Sequence, residues 1–276
     1  MPKKRKFEHL CFFFFFPFVI SIFTVFSLFV YFDWLTILIG LKKKKKKRTQ
    51  ESEGNDRTSL ALPGVQNQLI SSIANVTTGP IILVLLSGGC VDVSQWQQDS
   101  RISAILWAGY PGMFGGLAIF DVIFGEVNPS AMLTQTWYLN SYVNHVLMTD
   151  MNMRPSSSND GNPGRGYRYY PGSVNYPFGY GLSYTSFSCS VQNHTTTSIT
   201  IKVNNLKSIP GSTPVLAYWA PTNAGARGLP LKRLIGFDKI FVDAQAAKDT
   251  TLNFYSEFII SGEINTSGTF TCETLK

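Results

Sequence analysis

The chain has 276 residues, 44% of them hydrophobic, and a formal charge of +7. That apolar content suffices for a packed core and argues against wholesale disorder, and the length accommodates one large domain or two modest ones. The charge is local: residues 1–48 hold eleven basic against two acidic side chains, leaving the remainder slightly acidic and giving no support to nucleic-acid binding.

Leu10 to Leu41 is almost wholly apolar, with Asp33 its only charge. A bilayer needs about 20 such residues to be crossed. Basic flanks stand on both sides, Lys3 to Lys6 and Lys42 to Arg48, so charge asymmetry sets no orientation. The apolar stretch is too long for a signal peptide and has no small-residue cleavage site. Pro2-Lys-Lys-Arg-Lys6 also fits a nuclear-localisation patch. Phe12 to Phe16 and Lys42 to Lys47 are homopolymer runs of the kind that arise when T-rich or A-rich non-coding DNA is translated. Residues 1–48 therefore read first as an artefact of gene prediction, with a membrane anchor or a targeting signal as alternatives. A membrane enters as a partner only if residues 10–41 are a real anchor.

Leu62-Pro-Gly64 opens a predicted helix from Val65 to Ala74, whose Val65, Leu69, Ile70 and Ile73 share one face. Ile81 to Leu86 and Ile102 to Trp107 read as parallel strands buried on both faces, with a short helix at Val93 to Ser100 between them. Gly115 to Phe124 is a helix apolar around most of its surface, and Asp121 within it reads as a paired structural carboxylate. Alternating strand and helix gives an α/β layer, but residues 49 to 140 are too few for a complete doubly wound sheet. Met148 to Tyr184, rich in Pro, Gly, Asn and Ser, reads as an ordered loop or linker. Beyond Ser186, the segments 198–203, 215–219, 239–242 and 250–254 alternate like half-buried strands of a small β-sandwich. After Phe254 the pattern fades.

The cysteines Cys11, Cys90, Cys189 and Cys272 show no CxxC spacing, and no histidines pair at ligand spacing, so neither a metal site nor a cofactor is expected. Cys90 reads as a small buried thiol; a Cys189–Cys272 bridge is conceivable, since both lie in the β-rich part. Acceptor sequons at Asn75, Asn193 and Asn265 fit a secreted glycoprotein.

Four motifs in order carry a family resemblance: Gly109-Tyr-Pro-Gly-Met-Phe-Gly-Gly116, Phe124-Gly-Glu-Val-Asn-Pro-Ser130, Thr136-Trp-Tyr138 and Pro177-Phe-Gly-Tyr-Gly-Leu-Ser-Tyr184. Together they resemble the C-terminal half of plant and fungal β-xylosidases and β-glucosidases of glycoside hydrolase family 3. The resemblance runs over roughly residues 49 to 255. It implies a partial α/β sandwich at 49–147, a linker at 148–185 and an all-β fibronectin type III-like sandwich at 186–276, in an extracellular or cell-wall protein.

Retaining glycoside hydrolysis needs two carboxyl groups about 5–5.5 Å apart, one a nucleophile and one an acid that becomes a base. In the family, the nucleophile is an aspartate on an N-terminal (β/α)8 barrel, and the acid/base is a glutamate on the sandwich that follows. Glu51-Ser-Glu-Gly-Asn-Asp-Arg57 resembles the motif around that glutamate. By that resemblance Glu51 is the acid/base, and Glu53, Asp56 and Arg57 support it; by residue type alone the stretch equally fits a solvated acidic patch beside a lysine run. No segment resembles the barrel. Gly164-Arg-Gly-Tyr-Arg168 resembles the family's Gly-Arg-Thr-Tyr-Arg, so Arg165 and Arg168 clamp a carboxylate, hydrogen-bond sugar hydroxyls or bridge between domains. Asp150 reads as an anchor of the linker. Met113, Phe114, Ala131, Met132 and Thr134 depart from the family's usual residues.

The resemblance thus implies a hydrolase of the β-D-xylosidase type, acting on xylo-oligosaccharides or a related β-glycoside in xylan breakdown, and inactive as this chain alone. The alternative is a non-catalytic truncated remnant serving as a carbohydrate-binding or interaction module.

Overall fold

The computed structural model describes residues 27–32, 35–40, 57–156, 161–254 and 268–276. Its first sheet has four strands in the order β1-β2-β3-β4: Ser27–Phe32, Leu35–Gly40, Ile81–Leu85 and Ile102–Trp107. β1 and β2 pair antiparallel, whereas β2–β3 and β3–β4 pair in parallel. The sheet therefore has two strands more than residues 49–140 supply. Both extra strands come from the apolar stretch for which a membrane anchor was one reading. No helix among the described residues is long and apolar enough to cross a membrane.

β3 is covered on both sides, as its unbroken apolar run requires. Leu83 and Leu85 join a cluster with Ile70 of helix α1 (Gln66–Val76), Trp96 of helix α2 (Ser94–Gln97) and Trp137. On the opposite face Val84, fully buried, meets Ile119, Ile123 and Phe124 of helix α3 (Gly115–Phe124). β4 departs from the expectation of a strand buried on both faces: Ser103 and Ala104 are exposed and its other residues half-buried. The cause is its place at the edge of the described sheet. α3 is likewise apolar on both sides but covered on one. Phe114, Leu117 and Phe120, spaced three apart, are 70%, 58% and 48% exposed.

Residues 137–176 pack against this layer. Strand β5 (Trp137–Tyr138) pairs antiparallel with β6 (Val174–Tyr176), and a short 3-10 turn covers Asn140–Asn144. Between them lies the one-turn helix α4 (Gly166–Tyr169). Trp137 is 1% exposed and meets Trp107 and Tyr176 edge-on, at centroid distances of 5.6 and 6.3 Å. Asp150 holds its loop together by accepting from the Asn152 backbone and the Asn162 side chain at 2.8 and 2.9 Å.

The C-terminal unit consists of two three-stranded antiparallel sheets. One has the order β11-β8-β7 and the other β10-β9-β12. The strands are β7 (Phe187–His194), β8 (Ser198–Asn205), β9 (Gly211–Ala220), β10 (Arg233–Val242), β11 (Ala247–Asn253) and β12 (Thr269–Glu273). Ile199, Ile201 and Val203 of β8 face Val215, Ala217 and Trp219 of β9 in one buried cluster, which explains the period-two alternation of β8. Strands β7 and β12 went unread in the sequence. β12 corrects the expectation of a fading end, because it closes one sheet on β9. Cys189 of β7 and Cys272 of β12 form a disulfide, joining the outer strands of the two sheets across 83 residues of sequence.

The Pro177–Tyr184 motif is the joint between the units. Gly179 N–H donates to Leu133 O and Leu133 N–H to Tyr180 O, at 2.9 and 2.8 Å, while Asn128 Oδ1 accepts from Ser183 Oγ and Tyr184 N. Gly179 has φ +81°, and a Cβ on Gly181 would stand 2.6 Å from the Ala131 carbonyl oxygen, so a side chain fits at neither position.

Breaking the disulfide with Cys272→Ser is expected to lower stability by about 2–4 kcal/mol, since the closed loop is long. Denaturant unfolding followed by Trp219 fluorescence, with and without reductant, reads the loss; reductant should have no further effect on the variant.

Candidate functional site

Of the sequence-derived residues, Glu51, Glu53, Asp56 and Asn265 lie outside the described residues. The chain is described again from Arg57, which donates from Nη2 to the Cys90 carbonyl at 3.2 Å. Residues 59–61 are held by a compact polar junction. Asn140 Oδ1 accepts from Ser59 Oγ, Leu60 N and Ala61 N at 2.8, 2.8 and 3.0 Å. Asn140 N–H in turn donates to Asp92 Oδ2 at 2.6 Å, and Asp92 Oδ1 accepts from Ser94 N at 2.9 Å. Asp92 N–H closes the circuit on Leu60 O at 2.7 Å. Local sequence carried a hint at Asp92, whose bond to Ser94 N is an Asx turn. Asn140 carried none, because its partners lie about 80 residues away in sequence.

Beside the junction opens a cleft of about 330 Å³, lined by residues that include Leu60, Cys90, Thr136, Tyr138, Tyr142 and Arg165. Tyr138 and Tyr142 stack at a centroid distance of 4.0 Å, and Tyr170 meets both edge-on. Tyr142 donates to Gly164 O, and Tyr138 Oη accepts from Gly166 N, so the tyrosines also fix the backbone that carries Arg165. Burial pushes both phenols above their ordinary pKa; at Tyr142 the neighbouring Arg165 guanidinium works in the opposite direction. Burial likewise raises the Cys90 thiol, although the residue is half-buried rather than the buried thiol expected there.

Arg165 and Arg168 part company. Arg165 lines the cleft and donates from Nη2 to Leu147 O at 3.4 Å. Arg168 is exposed, donates to the Tyr167 hydroxyl at 3.3 Å and lies over that ring. Its backbone carbonyl accepts from Leu231 N at 2.6 Å, and Tyr167 Oη accepts from Leu234 N, so this turn meets the β-unit. Asp121 differs from its expected role: its backbone carbonyl accepts from Val127 N, and its carboxylate has no ion-pair partner among the described residues. Asn75 is exposed and accepts from Arg101 at 2.6 Å; Asn193 is exposed on β7. Among the described residues no group of His, Cys, Asp and Glu could hold a metal.

Residues 33–184 match the family described as glycosyl hydrolase family 3 C-terminal domain. The chain belongs to this family. The family 3 match begins within the apolar stretch, at residue 33, and ends at Tyr184, the last residue of the joint. Over 158 residues the chain is 48% identical to beta-D-xylosidase 1 of Arabidopsis thaliana, covering 57% of this chain and 20% of the relative. Over 221 residues it is 39% identical to beta-xylosidase/alpha-L-arabinofuranosidase 1 of Medicago sativa subsp. varia, covering 69% and 28%. A solved GH3 exo-beta-xylosidase (XlnD), in complex with a xylobiose aziridine activity-based probe, superposes with a TM-score of 0.71 at 30% identity, over 81% of this chain and 31% of that one. The chain thus spans about a fifth to three tenths of the length of the curated relatives it matches.

Removing the acceptor at the junction with Asn140→Ala leaves the Leu60 N–H, in a residue 2% exposed, without its partner. The expected loss is about 1–3 kcal/mol. Asn140→Asp keeps an oxygen at that position and should recover most of it. Chemical denaturation of the two variants against the parent measures the difference.

Proposed function

We propose that the family 3 domain of this chain carries the acid/base half of a retaining β-xyloside hydrolase. Glu51 is the acid/base, and Glu53, Asp56 and Arg57 orient its segment. The nucleophile belongs to a barrel that these 276 residues do not contain. The substrate is the terminal xylose of xylan-derived oligosaccharides, in line with the xylosidase names of the relatives. The β-unit is read as a fibronectin type III-like sandwich, on the strength of its two packed antiparallel sheets.

The observation that carries this reading is the junction at residues 59–61. A catalytic acid must be held at a fixed place against the glycosidic oxygen, because misplacement by about 1 Å costs up to ~100-fold in rate. The segment Glu51–Asp56 runs directly into Arg57 and then into backbone fixed by Asn140 and Asp92. Such anchoring suits a loop that presents a catalytic group, whereas a solvated acidic patch needs none.

The full chain is expected to show no hydrolysis of an aryl β-xyloside, because covalent catalysis cannot begin without a nucleophile. Residues 33–184 grafted in place of the matching segment of the Arabidopsis thaliana relative should sustain hydrolysis. Glu51→Gln in that graft should lower the rate by about 100-fold or more. Turnover that survives the substitution would refute the assignment of Glu51.

We also infer a secreted, extracellular route, for which the Cys189–Cys272 bridge and the exposed Asn193 are the supports. Expression through a eukaryotic secretory pathway should give a glycosylated chain, and Asn193→Gln should remove one glycan, read as a single downward step on a gel before treatment with an N-glycosidase. An Asn193→Gln chain migrating like its parent would count against glycosylation at that position.

A further inference from the structure

Gly109-Tyr-Pro-Gly-Met-Phe-Gly-Gly116, the first of the four motifs that carry the family resemblance, follows almost directly on β4. Strands β2, β3 and β4 run parallel, so their carboxyl ends share one edge of the sheet. In open α/β sheets that edge is where ligands bind. The chain that carries Glu51 leaves it after Gly40 of β2 and is back at it by Arg57, which bonds to the Cys90 carbonyl in the turn after β3.

The turns after β3 and β4 are locked together. Trp107 shares its Nε1–H between Ser87 O and Oγ at 3.0 and 3.2 Å, and Ser87 Oγ donates to Gly89 O at 2.8 Å. Ala108 N–H donates to Leu85 O at 3.0 Å. Beyond it, Pro111 packs so close to Gly115 that a Cβ there would collide with its ring, and Gly115 N–H donates to Gly112 O at 2.9 Å. This fixed turn carries Tyr110 outward: the residue is 62% exposed, and its ring edge lies against Gly88, where a Cβ would stand 2.8 Å from Tyr110 Cε2. A Cβ on the next residue, Gly89, would lie 3.8 Å from Arg57 Nη2. Tyr110 and Arg57 therefore border two consecutive glycines on the same edge. A ring held exposed on a rigid turn presents a flat apolar face with a polar tip. The C–H face of a pyranose matches it, leaving the sugar hydroxyls in water.

We propose that Tyr110 is a specificity-determining residue, stacking on the sugar unit at the leaving-group side of the cleaved bond in a xylo-oligosaccharide. The proposal rests on the reading of Glu51 as the acid/base, because that group protonates the leaving-group oxygen and must stand beside the departing sugar. The terminal xylose is held on the nucleophile's side of the bond, so the departing unit is the one within reach of this edge.

The test uses the graft of residues 33–184 into the Arabidopsis thaliana relative, with xylotriose and methyl β-D-xyloside as substrates. Xylotriose has a sugar on the leaving-group side and the methyl glycoside has none. Tyr110→Ala should lower the ratio of kcat/KM for xylotriose over methyl β-D-xyloside by about tenfold, chiefly through KM for xylotriose. Tyr110→Phe keeps the ring and should hold the ratio within about twofold of the parent. Phe114→Ala, at an exposed neighbour in the same motif, should do the same. An unchanged ratio in Tyr110→Ala, or an equal fall in Phe114→Ala, would overturn the proposal. Failure of the Glu51 assignment reads differently: turnover would survive Glu51→Gln, whatever the ratio in Tyr110→Ala. If the graft shows no turnover, calorimetric titration of the full chain with xylotriose decides. Tyr110→Ala must then weaken saturable binding about tenfold; no saturable binding, or binding indifferent to the substitution, overturns the proposal. Should Tyr110→Ala fail to fold, as judged by circular dichroism, Tyr110→Leu removes the flat ring and is read in the same way.

Discussion

Three donors from three consecutive residues, Ser59, Leu60 and Ala61, converge on Asn140 Oδ1, while the Asn140 N–H is taken by Asp92 and the Asp92 N–H returns to Leu60. These groups sit beside side chains that are almost fully buried, where an unmet backbone donor costs about 1–3 kcal/mol. The circuit therefore fixes three segments at once: the one following the Glu51 motif, the turn after β3, and the turn after β5. The cleft depends on that arrangement, since Leu60 and Cys90 form part of its wall and Tyr138 and Tyr142 flank Asn140 in sequence. The Arg57–Cys90 bond and the packing of Leu60 also hold the 57–61 segment.

A second circuit seats the β-unit. Thr185 donates to Asn205 Oδ1, and Asn205 donates in turn to Ile209 O and Val242 O; both side chains are almost fully buried. This knot lies directly after the Pro177–Tyr184 joint, so the chain enters β7 in a set direction. The final residues return to the same place, with Ser183 N–H donating to Lys276 O and Leu275 fully buried in the sandwich core. The disulfide then clips the two sheets along their outer strands. The Pro177–Tyr184 motif, one of the four that carry the family resemblance, packs its backbone closely at this joint.

The apolar residues of α3 reflect a different constraint. Ile119, Ile123 and Phe124 cover Val84, whereas Met113, Phe114 and Leu117 lie more than half exposed. Met113 and Phe114 are positions where the sequence departs from its family, and neither contributes to the buried core. Exposed apolar area of this kind, next to the half-buried edge strand β4, favours association between chains.

Hydrophobic period and turn chemistry were enough to find β3, β4, α1, α3 and most of the C-terminal strands, because each buries a face whose spacing is written locally. The ordered motifs were enough to place the chain in its family. Strand β7, of which Phe187 alone is fully buried, and strand β12, whose residues alternate only between half-buried and exposed, were not legible, since neither shows a strong apolar period. The joining of β1 and β2 to the sheet, the Asn140–Asp92 circuit and the separate settings of Arg165 and Arg168 were decided only by tertiary structure. Their partners lie tens of residues apart, and a hydrogen bond between distant residues leaves no periodic mark on the sequence that makes it.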